Sequence, residues 1–396
     1  MPTTIPAPTV FGYEPDGGFD VKEAWSYATN VITSFTGRER RIPLVQTPRY
    51  TLSWTVSTMD EFETNFFLGK MFVEVDNRWY VPRWPSARRI TNTVAGLPSA
   101  GVYNIDTVGT DFVVGQKAIV WKKSTTFDLM TVTAVGAGTV TCSGSTTFTH
   151  DASCYLAPAL VGSLSYTLHI ERAGGSARAE ITFTADVNGM SAPAAGAAAL
   201  LFSGTEVLPE ISSMEDLAEQ WDLRAGMSGG EASAPFIVRP FDAKYTIESN
   251  FAWLLTTRAE IDSFKQFLAR RRGRLNPVWI PTLTRELSTG VVAASGQPVV
   301  NVPNFAWQFL LAAEPARKFL AFLVNGTLVP MQISTVDFSG NVTCTTNLPV
   351  TVPAGSTVAT LRLCRLAEDA AEMIFLPGDI GATVALSFTE LPQEVP

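Results

Sequence analysis

Apolar and polar residues alternate through Tyr50-Thr51-Leu52-Ser53-Trp54, which puts Tyr50, Leu52 and Trp54 on one face at the two-residue period of a β-strand. Next, Ser57-Thr58-Met59-Asp60-Glu61 supplies N-cap and acidic first-turn chemistry, and the spacing of Phe62, Phe66 and Phe67 predicts a helix with one buried stripe. Trp79-Tyr80-Val81-Pro82 reads as another strand. The passage then recurs. Lys244-Tyr245-Thr246-Ile247 aligns with Arg49-Tyr50-Thr51-Leu52. A helix opens at Thr256-Thr257-Arg258-Ala259-Glu260, carries Ile261, Phe264, Phe267 and Leu268 on one side, and closes at Arg270-Arg271-Arg272 before Gly273. Trp279-Ile280-Pro281 then answers the strand at Trp79.

The repetition extends to Met130-Thr131-Val132 with Gly138-Thr139-Val140-Thr141-Cys142, matched by Met331-Gln332-Ile333 with Gly340-Asn341-Val342-Thr343-Cys344. Ile181-Thr182-Phe183-Thr184 is likewise matched by Leu386-Ser387-Phe388-Thr389. Two tandem units of ordinary domain size follow: residues 1–190, a small-residue linker at 191–204, and residues 205–396. A period this long is a domain duplication, not a solenoid. Each unit contains a run of short Thr/Val-rich strands, about residues 91–163 and 286–365, expected as an inserted small β subdomain. Asn325-Gly326 predicts a two-residue hairpin inside the second. Closing hairpins are expected across Ala173-Gly174-Gly175 and Pro377-Gly378-Asp379, and Val21 to Ala28 reads as a short helix or an arm.

Hydrophobic residues at 46%, with 29 glycines and 25 prolines, allow two cores and favour strands and turns over long helices. The expected class is mainly β with a few short helices. No run of about 18 apolar residues is present, and the N-terminus lacks the basic and apolar regions of a signal peptide, so the chain is expected to be soluble and made in the cytoplasm. A net charge of −8 argues against tight binding of nucleic acid through its phosphates, yet suits nucleic acid sliding past.

Catalytic signatures are few: there is no HExxH, P-loop or GxGxxG. His150 and His169 are the two histidines, read as structural or exposed strand residues, with His150 near a hairpin tip. Cys142, Cys154, Cys344 and Cys364 have no CxxC spacing and read as buried thiols without a metal. Asp60-Glu61 and Glu368-Asp369 are explained by helix capping and solvated turns, and Glu206, Glu210, Glu215 and Asp216 by a soluble helix start. Trp54, Trp79, Trp84, Trp253 and Trp279 fall within the repeated motifs and are expected in the core. The expectation is therefore no catalytic site, no cofactor and no metal.

Gly37-Arg38-Glu39-Arg40, Pro48-Arg49, Phe66-Phe67 and Gly69 together resemble the N-terminal signature of distal tail proteins, found in long-tailed bacteriophages and gene transfer agents. The second unit keeps Arg239-Pro240, Tyr245, Phe264, Phe267, Arg270-Arg271, Gly273 and Trp279, and the closing Phe388 to Val395 fits the family's last strand. The duplication is a departure, since usual members have one unit. The resemblance implies two tail-tube-like β-barrel or sandwich units, each with one packed helix and an inserted β subdomain. They would assemble as a ring around the DNA channel through edge-to-edge strand pairing. It implies a virion protein of the tail tip, joining the tube protein above to hub, fibre or spike proteins below. Because tubes are sixfold and spikes commonly threefold, a trimer presenting six similar units is expected, with a hexamer as the alternative. Arg38, Arg40, Arg41, Arg49, Arg239, Arg270 and Arg271 are expected to make inter-subunit ion pairs. Two rival readings remain open: a receptor- or carbohydrate-binding fibre or baseplate module, and a tail-associated hydrolase.

Overall fold

The computed structural model describes residues 9–18, 20–34, 37–58, 60–73, 78–94, 101–123, 126–165, 169–186, 196–198, 200–208, 218–222, 225–228, 237–240, 246–282, 287–303, 318–377 and 381–395. The first unit opens with β1 (Thr9–Val10), β2 (Val21–Ser26) and a hairpin of β3 (Thr29–Thr33) and β4 (Glu39–Pro43). Long β5 (Arg49–Thr58), helix α1 (Glu61–Val73) and β6 (Trp79–Pro82) follow. The insert holds β7 (Arg88–Arg89), β8 (Gly101–Asn104), β9 (Lys117–Lys123), β10 (Thr126–Gly136) and β11 (Thr139–Ser143). The unit closes with β12 (Tyr155–Leu164), β13 (His169–Ala173) and β14 (Ser176–Ala185).

After a short hairpin of β15 (Leu201–Phe202) and β16 (Thr205–Glu206), the series repeats. It runs through β17 (Ala218–Asp222), the hairpin β18 (Ala225–Ser228) and β19 (Ile237–Pro240), long β20 (Thr246–Leu255), helix α2 (Arg258–Arg271) and β21 (Val278–Pro281). The second insert has β22 (Leu287–Ser288), β23 (Val299–Asn301), β24 (Phe319–Val324), β25 (Thr327–Val336) and β26 (Asn341–Cys344). Then come β27 (Thr357–Leu366), β28 (Ala370–Phe375) and β29 (Ala382–Glu390).

The mainly β class is as expected, and hydrogen bonds make the repeat residue-specific. The Phe11 amide donates to the Tyr80 carbonyl at 2.8 Å, and Leu208 does the same to Trp279 at 2.9 Å. Arg83 N donates to Pro158 O at 2.8 Å, and Thr282 N to Thr360 O at 2.9 Å. Phe183 lies opposite Leu52, and Phe388 opposite Ser249. This register corrects the sequence alignment in two places: Trp279 corresponds to Tyr80, not Trp79, a shift of one, and Tyr50 to Ile247, not Tyr245, a shift of two. A shift of two preserves which face is inward, so alternation alone cannot detect it.

Three further expectations change. Val21 to Ser26 is a strand, with Glu23 and Trp25 buried at 0% and 3% exposure. On α1, Phe67 is buried, but Phe62 is 76% exposed and Phe66 39% exposed. The inward face is instead completed by Leu68 and by Thr64, whose hydroxyl bonds Thr58 at 2.6 Å and the Gly175 carbonyl at 2.9 Å. The inserts, finally, are continuous with the main sheets. Tyr155–Pro158 of β12 pairs with β9, while Ala159–Gly162 pairs with β6. In β27, Thr357–Thr360 pairs with β24 and Leu361–Cys364 with β21.

Local signals behave as read elsewhere. Asp60 accepts from Glu63 N at 2.7 Å at the start of α1, and Thr257 with Glu260 forms a capping box on α2. Asn325 and Gly326 both take positive φ, 49° and 79°, as a tight hairpin turn needs. The five tryptophans Trp54, Trp79, Trp84, Trp253 and Trp279 are buried, as are all four cysteines, which are unbridged. Burial pushes the Cys142 thiol up to about 12 and Cys344 up to about 11. One continuous apolar core holds Trp25, Trp54 and Phe183 of the first unit together with Trp253, Phe264 and Phe388 of the second. The two inserts have cores of their own.

Gly162 is where β12 passes from β6 to β14, and a Cβ there would collide with the Thr184 carbonyl and sit 2.8 Å from the Ala185 Cα. Gly162→Ala should therefore destabilise the protein by about 1–3 kcal/mol or more, measured by denaturant unfolding. Unchanged stability would mean that the strand crossing is looser than described.

Candidate assembly interface

Strand β2 belongs to the first unit by sequence and joins both units by pairing. On one side it runs antiparallel to β5, with Glu23 opposite Leu52 and Trp25 opposite Tyr50. On the other it runs antiparallel to β28 of the second unit, from Val21 opposite Phe375 to Ser26 opposite Ala370. The halves are thus fused by strand addition, in which main-chain hydrogen bonds hold and side chains fix register.

At β2 lies a buried cluster of four charges from four places in the chain. Arg83 Nε donates to Glu23 Oε1 at 2.7 Å, and its Nη1 lies 2.9 Å from Asp111 Oδ2. Lys265 Nζ of α2 is 3.2 Å from both Glu23 Oε2 and Asp111 Oδ2. Tyr50 donates its hydroxyl to Glu23 at 2.6 Å, and Ser86 donates to Asp111 at 2.7 Å. Burial alone would push both carboxyls up, but Arg83 and Lys265 outweigh it, lowering Glu23 and holding Asp111 at about 2. Two cations balance two anions, which is the condition for burying them without a large penalty. Only Lys265 comes from the second unit, so the neutrality of the cluster depends on the two halves being docked.

A second set of contacts lies at the β3–β4 hairpin, which reaches onto the second unit. Arg365 of β27 holds Glu39 through two hydrogen bonds, at 2.7 and 2.9 Å, and Arg41 pairs with Glu394 near the C-terminus. Asp369 accepts from Thr29 N at 2.8 Å and from Arg274 Nη2 at 3.0 Å, so it is a connector between units and not a solvated turn.

These contacts reassign several arginines expected to bind other subunits. Arg41 is engaged with Glu394 of its own chain. Arg270 and Arg271 both grip Glu206, with Arg270 Nη2 at 2.7 Å, and Arg272 caps α2 in the left-handed conformation at φ 52°. Glu206, expected at a soluble helix start, is a buried strand residue at 4% exposure because these two guanidiniums neutralise it. Arg38, Arg40 and Arg49 are exposed. Arg239 lies on β19, opposite Gly226, with its side chain outside the described residues, where Glu210, Glu215 and Asp216 also fall. Sequence reasoning missed Glu23, Arg83, Asp111, Lys265 and Arg365. The one available signal was a charged residue at an inward position of a strand or helix: Glu23 alternates with Trp25, and Lys265 follows Phe264.

Elsewhere, His150 is fully buried, the structural one of its two expected alternatives. Its Nε2 lies 2.9 Å from Asp128 Oδ2 and its Nδ1 2.7 Å from the Tyr103 hydroxyl, while Asp128 also accepts from Thr147. Both ring nitrogens are thereby used within the core of the first insert. His169 is exposed on β13. A cavity of about 240 Å³ opens along the seam between Trp84, Trp121, Tyr155, Glu14, Arg258 and Phe375. No group of three or more His, Cys, Asp or Glu suited to a metal occurs among the described residues. No described helix is long and apolar enough to cross a membrane. No protein-family model and no curated protein sequence matches the chain.

Replacing Lys265 by Met leaves an uncompensated negative charge in the cluster and should cost on the order of 3–5 kcal/mol in urea unfolding. A carboxyl whose folded pKa is depressed stabilises the fold above its unfolded value near 4 and loses that contribution as pH falls towards the folded value. With Asp111 at about 2, the wild-type seam should hold to about pH 4 and weaken between there and pH 2. In Lys265→Met the carboxyls are held less firmly, so acid unfolding should begin at higher pH. An identical acid transition in both proteins would remove the assigned role of the cluster.

Proposed function

We propose that the chain is a structural virion protein of a phage tail tip. In this reading it forms a distal tail or upper baseplate hub ring that connects the tail tube to the hub, fibres or central spike around the DNA channel. The observation that carries this is the way one chain joins two equivalent β units by strand addition from β2 to β28, an arrangement that can continue from one copy to the next. The Gly37-Arg38-Glu39-Arg40, Pro48-Arg49 and Phe66-Phe67 signature adds the family resemblance, and the net charge of −8 suits a channel that passes DNA without holding it. A trimer would present six similar units to a sixfold tube and three identical chains to a threefold spike; a hexamer is the alternative stoichiometry. No catalytic step and no cofactor belong to this role. The protein would be made in the host cytoplasm and act in the virion.

A receptor- or carbohydrate-binding role is the second reading. It is favoured by the seam cavity, where Trp121 stacks on Tyr155 at 5.7 Å and donates its indole N–H to Glu14, since aromatic faces beside carboxylates suit sugar rings.

Purified protein should run near three times 42.8 kDa by light scattering and show rings in negative stain, and antibody against it should label particles at the tail tip. Absence from purified particles would overturn the virion assignment, and selective retention on a glycan array would move the balance to the second reading.

A further inference from the structure

The internal seam uses only half of what the duplication supplies. Each unit has one strand that precedes a hairpin, β2 or β17, and one that opens the closing hairpin, β13 or β28. Within the chain, β2 meets β28. Their counterparts remain: among the described residues β13 pairs with β14, and β17 with β20. They belong to different units, so what the second unit offers through β17 is what the first unit accepts through β13.

The register of this unmade pair can be transferred. Glu23 lies opposite Leu52 and Glu219 opposite Ser249, so Glu219 corresponds to Glu23 and Ala218 to Lys22. Met373 lies opposite Val384 and Ile170 opposite Ala179, so Ile170 corresponds to Met373 and Glu171 to Ile374. Since Glu23 faces Met373 and Lys22 faces Ile374, Glu219 should face Ile170 and Ala218 should face Glu171.

A second feature agrees. The β3–β4 hairpin lies on the second unit against Arg365, which stands opposite Thr389. The corresponding position on the first unit is Ser163, opposite Thr184. There the surface forms an open groove of about 810 Å³, lined by Ser163, Thr184, Asp186, Arg78, Tyr27 and Arg49. The β18–β19 hairpin is the counterpart of β3–β4, with Ala225 opposite Pro240 as Thr29 is opposite Pro43.

We propose that β17 of one copy adds to β13 of a second copy, with Ala218 facing Glu171 and Glu219 facing Ile170, and that its β18–β19 hairpin enters the groove at Ser163. This deepens the ring reading and rests on it. The contact is head-to-tail, so it propagates until the last β13 meets the first β17 and the ring closes. The polar clamp, however, is not repeated. Positions of Arg83, Lys265, Arg365 and Arg41 are taken by Thr282, Leu68, Ser163 and Val238. The joint between copies therefore rests on main-chain pairing and is weaker than the seam inside each chain: copies separate on dilution while each chain stays folded.

The test is a double variant, Ala218→Cys with Glu171→Cys, in the full chain, where the four native cysteines are buried. On mild oxidation it should give disulfide-linked species at multiples of 42.8 kDa ending at one closed size, while each single variant gives none of that series. Diluting the unmodified protein should shift its mass in light scattering towards 42.8 kDa without changing its near-ultraviolet circular dichroism. Stable rings whose cysteine pair fails to link would overturn this joint and leave the ring reading standing. A chain that stays monomeric at every concentration, with no cross-link, would overturn both.

Discussion

The placement of β2 depends on putting a carboxylate where no water reaches. Glu23 sits on the inward face of that strand beside Trp25, and within the chain its charge is answered from below, where β2 lies between β5 and β28. Arg83 from the end of β6, Lys265 from α2 and the Tyr50 hydroxyl from β5 give the answer, and Asp111 from the first insert balances the second cation. The cluster is charge-balanced only with all of these in place. Hydrophobic contact across the seam is tolerant of sliding; paired charges at fixed distances are not. The seam therefore combines a permissive force with a selective one.

Much of the architecture was legible because it is repeated. Alternation at Tyr50 to Trp54, the capping residues at Asp60 and Thr257, and the turn at Asn325-Gly326 are local, and local physics decides them. What was not legible required knowledge of who faces whom. Phe62 and Phe66 look like core residues, since nothing in their spacing tells which side of α1 the sheet will occupy; the buried Thr64 settles it through its bonds to Thr58 and Gly175. The arginines show the same limit. Arg41, Arg270 and Arg271 have the guanidinium forks that suit carboxylates, and they pair with Glu394 and Glu206 of the same chain. A chain with two units makes between them contacts for which such residues are suited, so these arginines are internal.

The inserts also gain a different meaning once β12 and β27 are seen as single strands that serve the insert at one end and the main sheet at the other. A strain or a load applied to either insert is carried along a covalent, hydrogen-bonded ribbon directly into the unit's core. Each insert packs around an apolar core of its own.

The outward rings of Phe62 and Phe66 have no equivalent in the other half, where Ala259 and Ser263 stand at the same turns of α2. However many copies close a circle, these aromatic knobs recur once per polypeptide and not once per unit. In the proposed trimer, a surface sixfold in its backbone would be only threefold in these side chains, and a neighbour that grips those knobs would count chains, where one that grips the backbone would count units.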